Sequence, residues 1–258
     1  MSREISRREL LAASGLTAAA AIALTTAADR SVLAARKLPT DRVAPRPESA
    51  TDARGTSTFW RTEPTDRLVA LTFDDGPDPR WTPQALAALA KHDAHATFFQ
   101  MGDAVDAHPG VARDVRDAGH EIANHGTGHV DLTDLGTQGI RDNLHRAHDA
   151  IMTATGTVPT LMRPPWGRID SLGLFEAAQL GYDVALWSHH LPTALAEEVV
   201  DHDVETASPG MIILCHDGRS TPADSLYVAV GRLLDELTDD GYTFVTVSAL
   251  RSARRSQV

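Results

Sequence analysis

Leu68-Val69-Ala70-Leu71-Thr72-Phe73-Asp74-Asp75-Gly76-Pro77 begins as an almost unbroken apolar run and ends in two carboxylates and a turn. A short apolar run closed by a turn signal is how a strand buried on both faces reads. Working outward, further apolar or β-branched runs at 96–100, 121–124, 160–163, 183–187, 211–215 and 243–247 alternate with stretches of helical period near 83–91, 111–118, 137–155, 171–180 and 225–240. Pro83 and Pro109 stand where a first helical turn tolerates proline, and Gly119, Gly181 and Gly241 stand where helices stop. Seven such repeats predict an α/β fold, a distorted (β/α) barrel of about seven parallel strands, with an open doubly wound sheet as the alternative. Either architecture puts function at the C-terminal ends of the strands. The polar residues gather there: Asp74 and Asp75 after the first strand, His125 and His129 after the third, Arg163 at the end of the fourth and His216 after the sixth.

Composition narrows the chemistry. The 258 residues are 42% hydrophobic and 23% charged, an ordinary globular mix. Residues 1–54 carry 9 Lys/Arg against 6 Asp/Glu, leaving 15 against 29 in residues 55–258. That acidic remainder repels phosphate backbones, so nucleic acid is not an expected partner. Cys215, the single cysteine, lies in the apolar run 211–215 and reads as a small core residue.

Residues 1–35 resemble a twin-arginine export signal: Ser6-Arg7-Arg8 precedes a weakly apolar, Ala/Thr-rich stretch from Leu10 to Ala28. Thr26-Ala27-Ala28 and Val32-Leu33-Ala34 both offer cleavage points. Interruptions at Ser14, Gly15 and Thr17 argue against a permanent membrane span. Residues 36–58, with Pro39, Pro45 and Pro47, read as a flexible leader, and residues 59–258 as the catalytic domain. The expected location is outside the cell or at the cell wall.

Two adjacent carboxylates at the end of a buried strand need compensation, from turn capping or from a bound cation. His125 and His129, four apart, can aim both imidazoles at one point. With one carboxylate they form a two-histidine, one-carboxylate set with open positions, suited to Zn2+ or a similar divalent metal (Co2+, Ni2+, Mn2+). If Asp75 serves the metal, Asp74 is left to act as general base on a bound water. Arg163 is then placed to orient it, and His216 to act as general acid. Alone, each residue has an ordinary explanation: a capped turn, a surface ion pair, a core histidine.

Together the segments resemble the polysaccharide deacetylases of carbohydrate esterase family four over roughly residues 68–247. Thr72-Phe73-Asp74-Asp75-Gly76 resembles the first motif, implying Asp74 as base and Asp75 as metal ligand. Asn124-His125-Gly126-Thr127-Gly128-His129 resembles the second, implying both histidines as ligands. Arg163-Pro164-Pro165-Trp166-Gly167 resembles the third, implying Arg163 against the base and the Trp166 backbone N–H toward the oxyanion. Leu214-Cys215-His216 resembles the fifth, implying Leu214 at the acetyl-methyl pocket and His216 as acid. Ala96-Thr97-Phe98-Phe99 and Gly119-His120-Glu121-Ile122-Ala123-Asn124 match familiar framework. The resemblance implies a distorted (β/α) barrel and metal-dependent removal of acetyl groups from an acetylated polysaccharide or oligosaccharide, N-acetylated peptidoglycan or chitin-type glycans first. An O-acetyl xylan esterase or an inactive carbohydrate-binding relative are the alternatives.

Two departures stand out. Gly126 follows the first histidine where the family carries Ser or Thr, so Thr127 is expected to brace the loop from one position later. The fourth motif's Asp-x-x-Asp-Trp positions hold His190, Thr193 and Ala194. The carboxylate that partners the acid histidine is therefore missing, which predicts that the limb of the pH–rate profile set by the acid is displaced. The missing indole predicts a more open groove, with His189 or His190 on the vacated wall.

Overall fold

The computed structural model describes residues 55–218 and 224–253; the residues read as an export signal, most of those read as a leader and the extreme C-terminus lie outside these. Among the described residues nine strands are present: β1 (Thr58–Phe59), β2 (Leu68–Asp74), β3 (Ala96–Gln100), β4 (Glu121–Asn124), β5 (Leu161–Met162), β6 (Asp183–Ala185), β7 (His189–His190), β8 (Ile212–His216) and β9 (Thr243–Phe244). Their order is β1-β6-β5-β4-β3-β2-β8-β7, with β9 also on β2. The pairings between these strands are all parallel. Residues 183–190 touch both ends of this order, β6 against β5 and β7 against β8. That double attachment curls the sheet into a distorted α/β barrel and excludes the open doubly wound alternative.

The period-2 alternation of β2 divides the core. Val69, Leu71 and Phe73 join Phe98, Ile213 and Cys215 in the large layer beneath the helices Thr82–Ala90, Pro109–Asp117 and Asp224–Asp239. Ala70 joins Phe99, Ala123, Leu161, Ala185 and Ile212 in a smaller cluster with Val247 and Leu250 of the helix Val247–Ser252. Thr72 and Asp74 share the parity of Ala70, so the same face of β2 that builds the small cluster ends in the Asp74 carboxylate.

The helices Thr82–Ala90, Pro109–Asp117, Thr137–Thr155, Ser171–Gln179 and Asp224–Asp239 follow the sequence pattern within a residue or two. Gly119, Gly181 and Gly241 have positive φ where chain leaves helix. The run 243–247 does not continue as a strand: Thr246 caps a new helix by accepting from the Ala249 N–H. The run 160–163 shortens to Leu161–Met162, leaving Arg163 just beyond the strand. Helices Gly102–Ala107 and Ala196–Glu205 were not expected. The first is too short to show a period, and the second starts just after the departed fourth motif. Among the described residues no helix is long and apolar enough to cross a membrane.

Candidate metal centre and active site

β2 and β8 run in register, with Asp74 opposite His216, so base and acid candidates leave neighbouring strands at one level. Asp75 turns out of β2 with φ 76, a left-handed conformation costly for a non-glycine residue. The loops after β2 and β8 clamp it. The Asp217 N–H donates to the Asp74 carbonyl at 3.1 Å, and a Cβ on Gly218 would meet the Asp75 carbonyl oxygen at 2.4 Å. From the β3 side, the Met101 N–H donates to the Gly76 carbonyl at 2.9 Å.

The Asp75 carboxylate and the Nε2 atoms of His125 and His129 converge, at 3.4 and 3.5 Å from Asp75 Oδ1. One ligand atom from each lies within 4.8 Å of the other two. His125 Nδ1 faces the Arg163 carbonyl at 2.8 Å; a carbonyl only accepts, so the proton sits on Nδ1 and Nε2 is left for the cluster. Burial disfavours the His125 cation, but Asp74, Asp75 and that carbonyl outweigh it and raise its pKa. A buried carboxylate with two imidazole nitrogens at this spacing fits a divalent metal ion.

The loop carrying the histidines is held from the side. Asn124 accepts from the Gly126 N–H at 2.7 Å and donates to the Leu144 carbonyl and the Tyr182 hydroxyl. The Thr127 hydroxyl donates to the Asn143 carbonyl at 2.6 Å, so Thr127 does brace the loop, against the helix Thr137–Thr155. Gly126 has φ +81, and a Cβ there would come within 2.6 Å of Asn143 Oδ1. That oxygen accepts from the Thr127 N–H, so a side chain at 126 would disturb the brace itself.

Arg163 is fully buried. Its guanidinium donates to Asp74 Oδ1 at 2.7 Å, Thr72 Oγ1 at 2.8 Å, the Ala185 carbonyl at 2.8 Å and the Leu186 carbonyl at 3.0 Å. It also lies over the Phe99 ring at 4.0 Å. Burial lowers the Arg163 pKa, and the Asp74 carboxylate opposes that shift. Three residues on, Trp166 takes a left-handed backbone (φ 54) and sets its ring edge-on to His129 at 4.1 Å. Leu214 is buried, and its carbonyl accepts from the Leu191 N–H at 2.8 Å.

His190, in the fourth-motif carboxylate position, lies on β7 opposite Leu214. Its ring meets that of His216 at 5.7 Å, inclined by 70°. Burial, then the His216 ring, lower the His190 pKa, with Asp74 opposing. His189 points elsewhere, to the Ser188 and Thr206 hydroxyls. Of the two candidates, His190 is therefore the one beside the acid position.

Sequence reading gave Asp217 no role, yet it is buried against Gly76, where a Cβ would meet its Oδ1 at 2.4 Å. It accepts from the Thr82 hydroxyl at 2.6 Å, and that hydroxyl accepts in turn from the Asp78 N–H. Burial pushes its pKa up to about 7. Its adjacency to His216 was the available signal. Cys215 is buried and unpaired, as its apolar setting indicated.

Sequence and fold agree with relatives of known type. The polysaccharide deacetylase family model matches residues 61–185. A peptidoglycan-N-acetylglucosamine deacetylase of Bacillus cereus is 36% identical over 196 residues, covering 74% of this chain and 91% of that protein. The peptidoglycan-N-acetylmuramic acid deacetylase PdaC of Bacillus subtilis is 36% identical over 199 residues, but this chain spans only 41% of its length. The solved PdaC structure superposes with a TM-score of 0.67 at 34% identity, covering 74% of this chain and 93% of that one. A carbohydrate esterase family pseudoenzyme of Bacillus anthracis superposes with a TM-score of 0.69 at 25% identity, covering 77% and 70%. The chain belongs to the polysaccharide deacetylase family.

Proposed function

We propose that this protein is a metal-dependent hydrolase that removes acetyl groups from N-acetylated glycans of peptidoglycan or chitin type. The observation that carries the reading is the convergence of a two-histidine, one-carboxylate set with a second carboxylate tied to a buried arginine. The relatives named for N-acetylglucosamine and N-acetylmuramic acid support an acetamide as the bond cleaved.

Asp75, His125 and His129 would hold the divalent cation, Zn2+ in this reading, with Co2+, Ni2+ or Mn2+ as substitutes; when bound, it polarises the acetyl carbonyl as a Lewis acid. Asp74 takes the proton of the attacking water while Arg163 fixes the direction of its carboxylate. The Trp166 backbone N–H donates to the carbonyl oxygen as negative charge builds there, and Leu214 borders the acetyl methyl. His216 gives its proton to the departing nitrogen, the C–N bond breaks, and acetate leaves a free amine behind.

The test is acetate release from peptidoglycan, chitooligosaccharides and acetylxylan, with and without chelator and with Asp74→Asn as control. Activity that survives chelation sinks the metal mechanism, and a preference for acetylxylan makes the enzyme an O-acetyl esterase. A second reading, an inactive carbohydrate binder, is favoured by the altered fourth motif and by the likeness to a pseudoenzyme. Metal binding without acetate release from any glycan would establish it. Residues 1–35 are proposed to export the folded protein to the wall or medium. Exchange of Arg7 and Arg8 for lysines should leave it in the cytoplasm on fractionation.

A further inference from the structure

Three of the four tryptophans, Trp60, Trp166 and Trp187, sit around one surface depression. With Leu186 and Gly167 they line about 320 Å³ of space without an ionisable side chain. That volume lies at the lower end of the ~300–1,000 Å³ range of small-molecule sites. Trp60 is 58% exposed and Trp166 52% exposed; the remaining tryptophan, Trp81, is buried and stacked on Tyr227. Adjoining exposed indoles mark a surface that meets something other than water.

The fold holds these indoles out. β1 pairs with β6, Phe59 opposite Ala185, and the Leu186 N–H donates to the Phe59 carbonyl at 2.8 Å. Trp60 is thereby set beside Leu186 and Trp187. Two residues later the Thr62 N–H donates to the Gly210 carbonyl at 2.9 Å, pinning the segment from the other side. Gly167, with φ +69, lies so close on Trp187 that a Cβ would come within 3.0 Å of the ring. Trp166 joins the depression to the metal centre, because its ring edge also meets His129 at 4.1 Å.

We infer that Trp60, Trp166 and Trp187 form a stacking subsite for a pyranose ring of the glycan, next to the residue being deacetylated. A pyranose presents a flat face of C–H groups that packs on an indole and a rim of hydroxyls that stays hydrated, which suits a shallow uncharged aromatic depression. The inference rests on the glycan reading above. Trp60 contributes binding along the chain and takes no part in bond cleavage.

The experiment compares wild type, Trp60→Ala and Trp60→Phe in two assays on the full chain. Calorimetry on an Asp74→Asn background reads the affinity for chitotetraose and for N-acetylglucosamine. Steady-state kinetics with Asp74 intact reads acetate release from both. Trp60→Ala should weaken tetramer binding about tenfold and raise its KM with kcat unchanged, and Trp60→Phe should recover most of the loss. The monosaccharide should be unaffected. Equal losses on both sugars, or no loss on either, overturn the subsite. If wild type releases no acetate from either sugar, the chitin-type reading of the substrate fails, and the calorimetric comparison still decides the subsite; no tetramer binding by the parent protein counts against it.

Discussion

Arg163→Lys is expected to cost the fold about 4 kcal/mol and the reaction about a hundredfold in kcat, for one structural reason. The guanidinium satisfies four acceptors at once: Asp74, Thr72 and the carbonyls of Ala185 and Leu186. A lysine ammonium is a point donor on a flexible stem and cannot span a fork of that width. If it keeps Asp74, the buried Ala185 carbonyl and the part-buried Leu186 carbonyl lose their donor, at about 1–3 kcal/mol each. For a domain of this size, 4 kcal/mol corresponds to a fall in Tm of about 8–16 °C. A carboxylate displaced by ~1 Å from its productive direction accounts for the rate loss, which should fall on kcat more than on KM. Thermal unfolding and initial rates of acetate release measure the two effects. A Tm within about 2 °C of wild type together with an unchanged kcat would refute the argument that Arg163 holds Asp74 through this network.

Zinc added to chelated protein at about 100 times its Kd should raise stability by about 2.7 kcal/mol, or about 5–10 °C in Tm, and Asp75→Asn should abolish the rise in a thermal shift assay. His120 carries a pH dependence of stability, because burial and then the neighbouring His95 lower its pKa from 6.5 to about 4. Its Nδ1 also accepts from the Ala96 N–H. The unfolded chain therefore takes up the proton first: the stability tied to neutral His120 is complete above about 6.5 and is lost as the pH falls toward 4. His120→Gln should lose less Tm than wild type between pH 7.5 and 5. His190→Asp returns a carboxylate to the ring facing His216, so the alkaline limb of the kcat profile should move to higher pH; a limb that stays in place would show that His216 does not set it.

Much of the candidate site could be read from the chain because its residues follow from strand ends. β2, β4 and the run into Arg163 each finish on a polar residue, and parallel register brings those ends to one edge whatever the loops do. The four-residue spacing of His125 and His129 could be read from the chain, and so could the expectation that Thr127 braces their loop. The closing element was less legible. β1 and β7 have two residues each, too short for any period to show, and their places depend on pairing with residues more than twenty positions away. For the same reason Trp60, just inside the start of the domain, was given no role, and the vacated wall could be assigned only to one of two histidines.

Strain is distributed accordingly. Among the described residues Asp75, Asp93 and Trp166 are the non-glycine residues with positive φ; the first belongs to the metal set and the last lies against it. Trp takes that conformation rarely and Asp at some cost, so contacts that hold the backbone matter at both positions. At Asp75 the support is the packing of Gly218 on its carbonyl and of Asp217 on Gly76; at Trp166 it is the adjoining Gly167 seated on Trp187. Propensity would have predicted glycine at both strained positions. The chain instead places the side chain that meets the metal set at the strained position and the glycine in the element that holds it. The apparent mismatch between residue type and backbone at 75 and 166 is therefore a property of contacts across the barrel, which a linear sequence does not display.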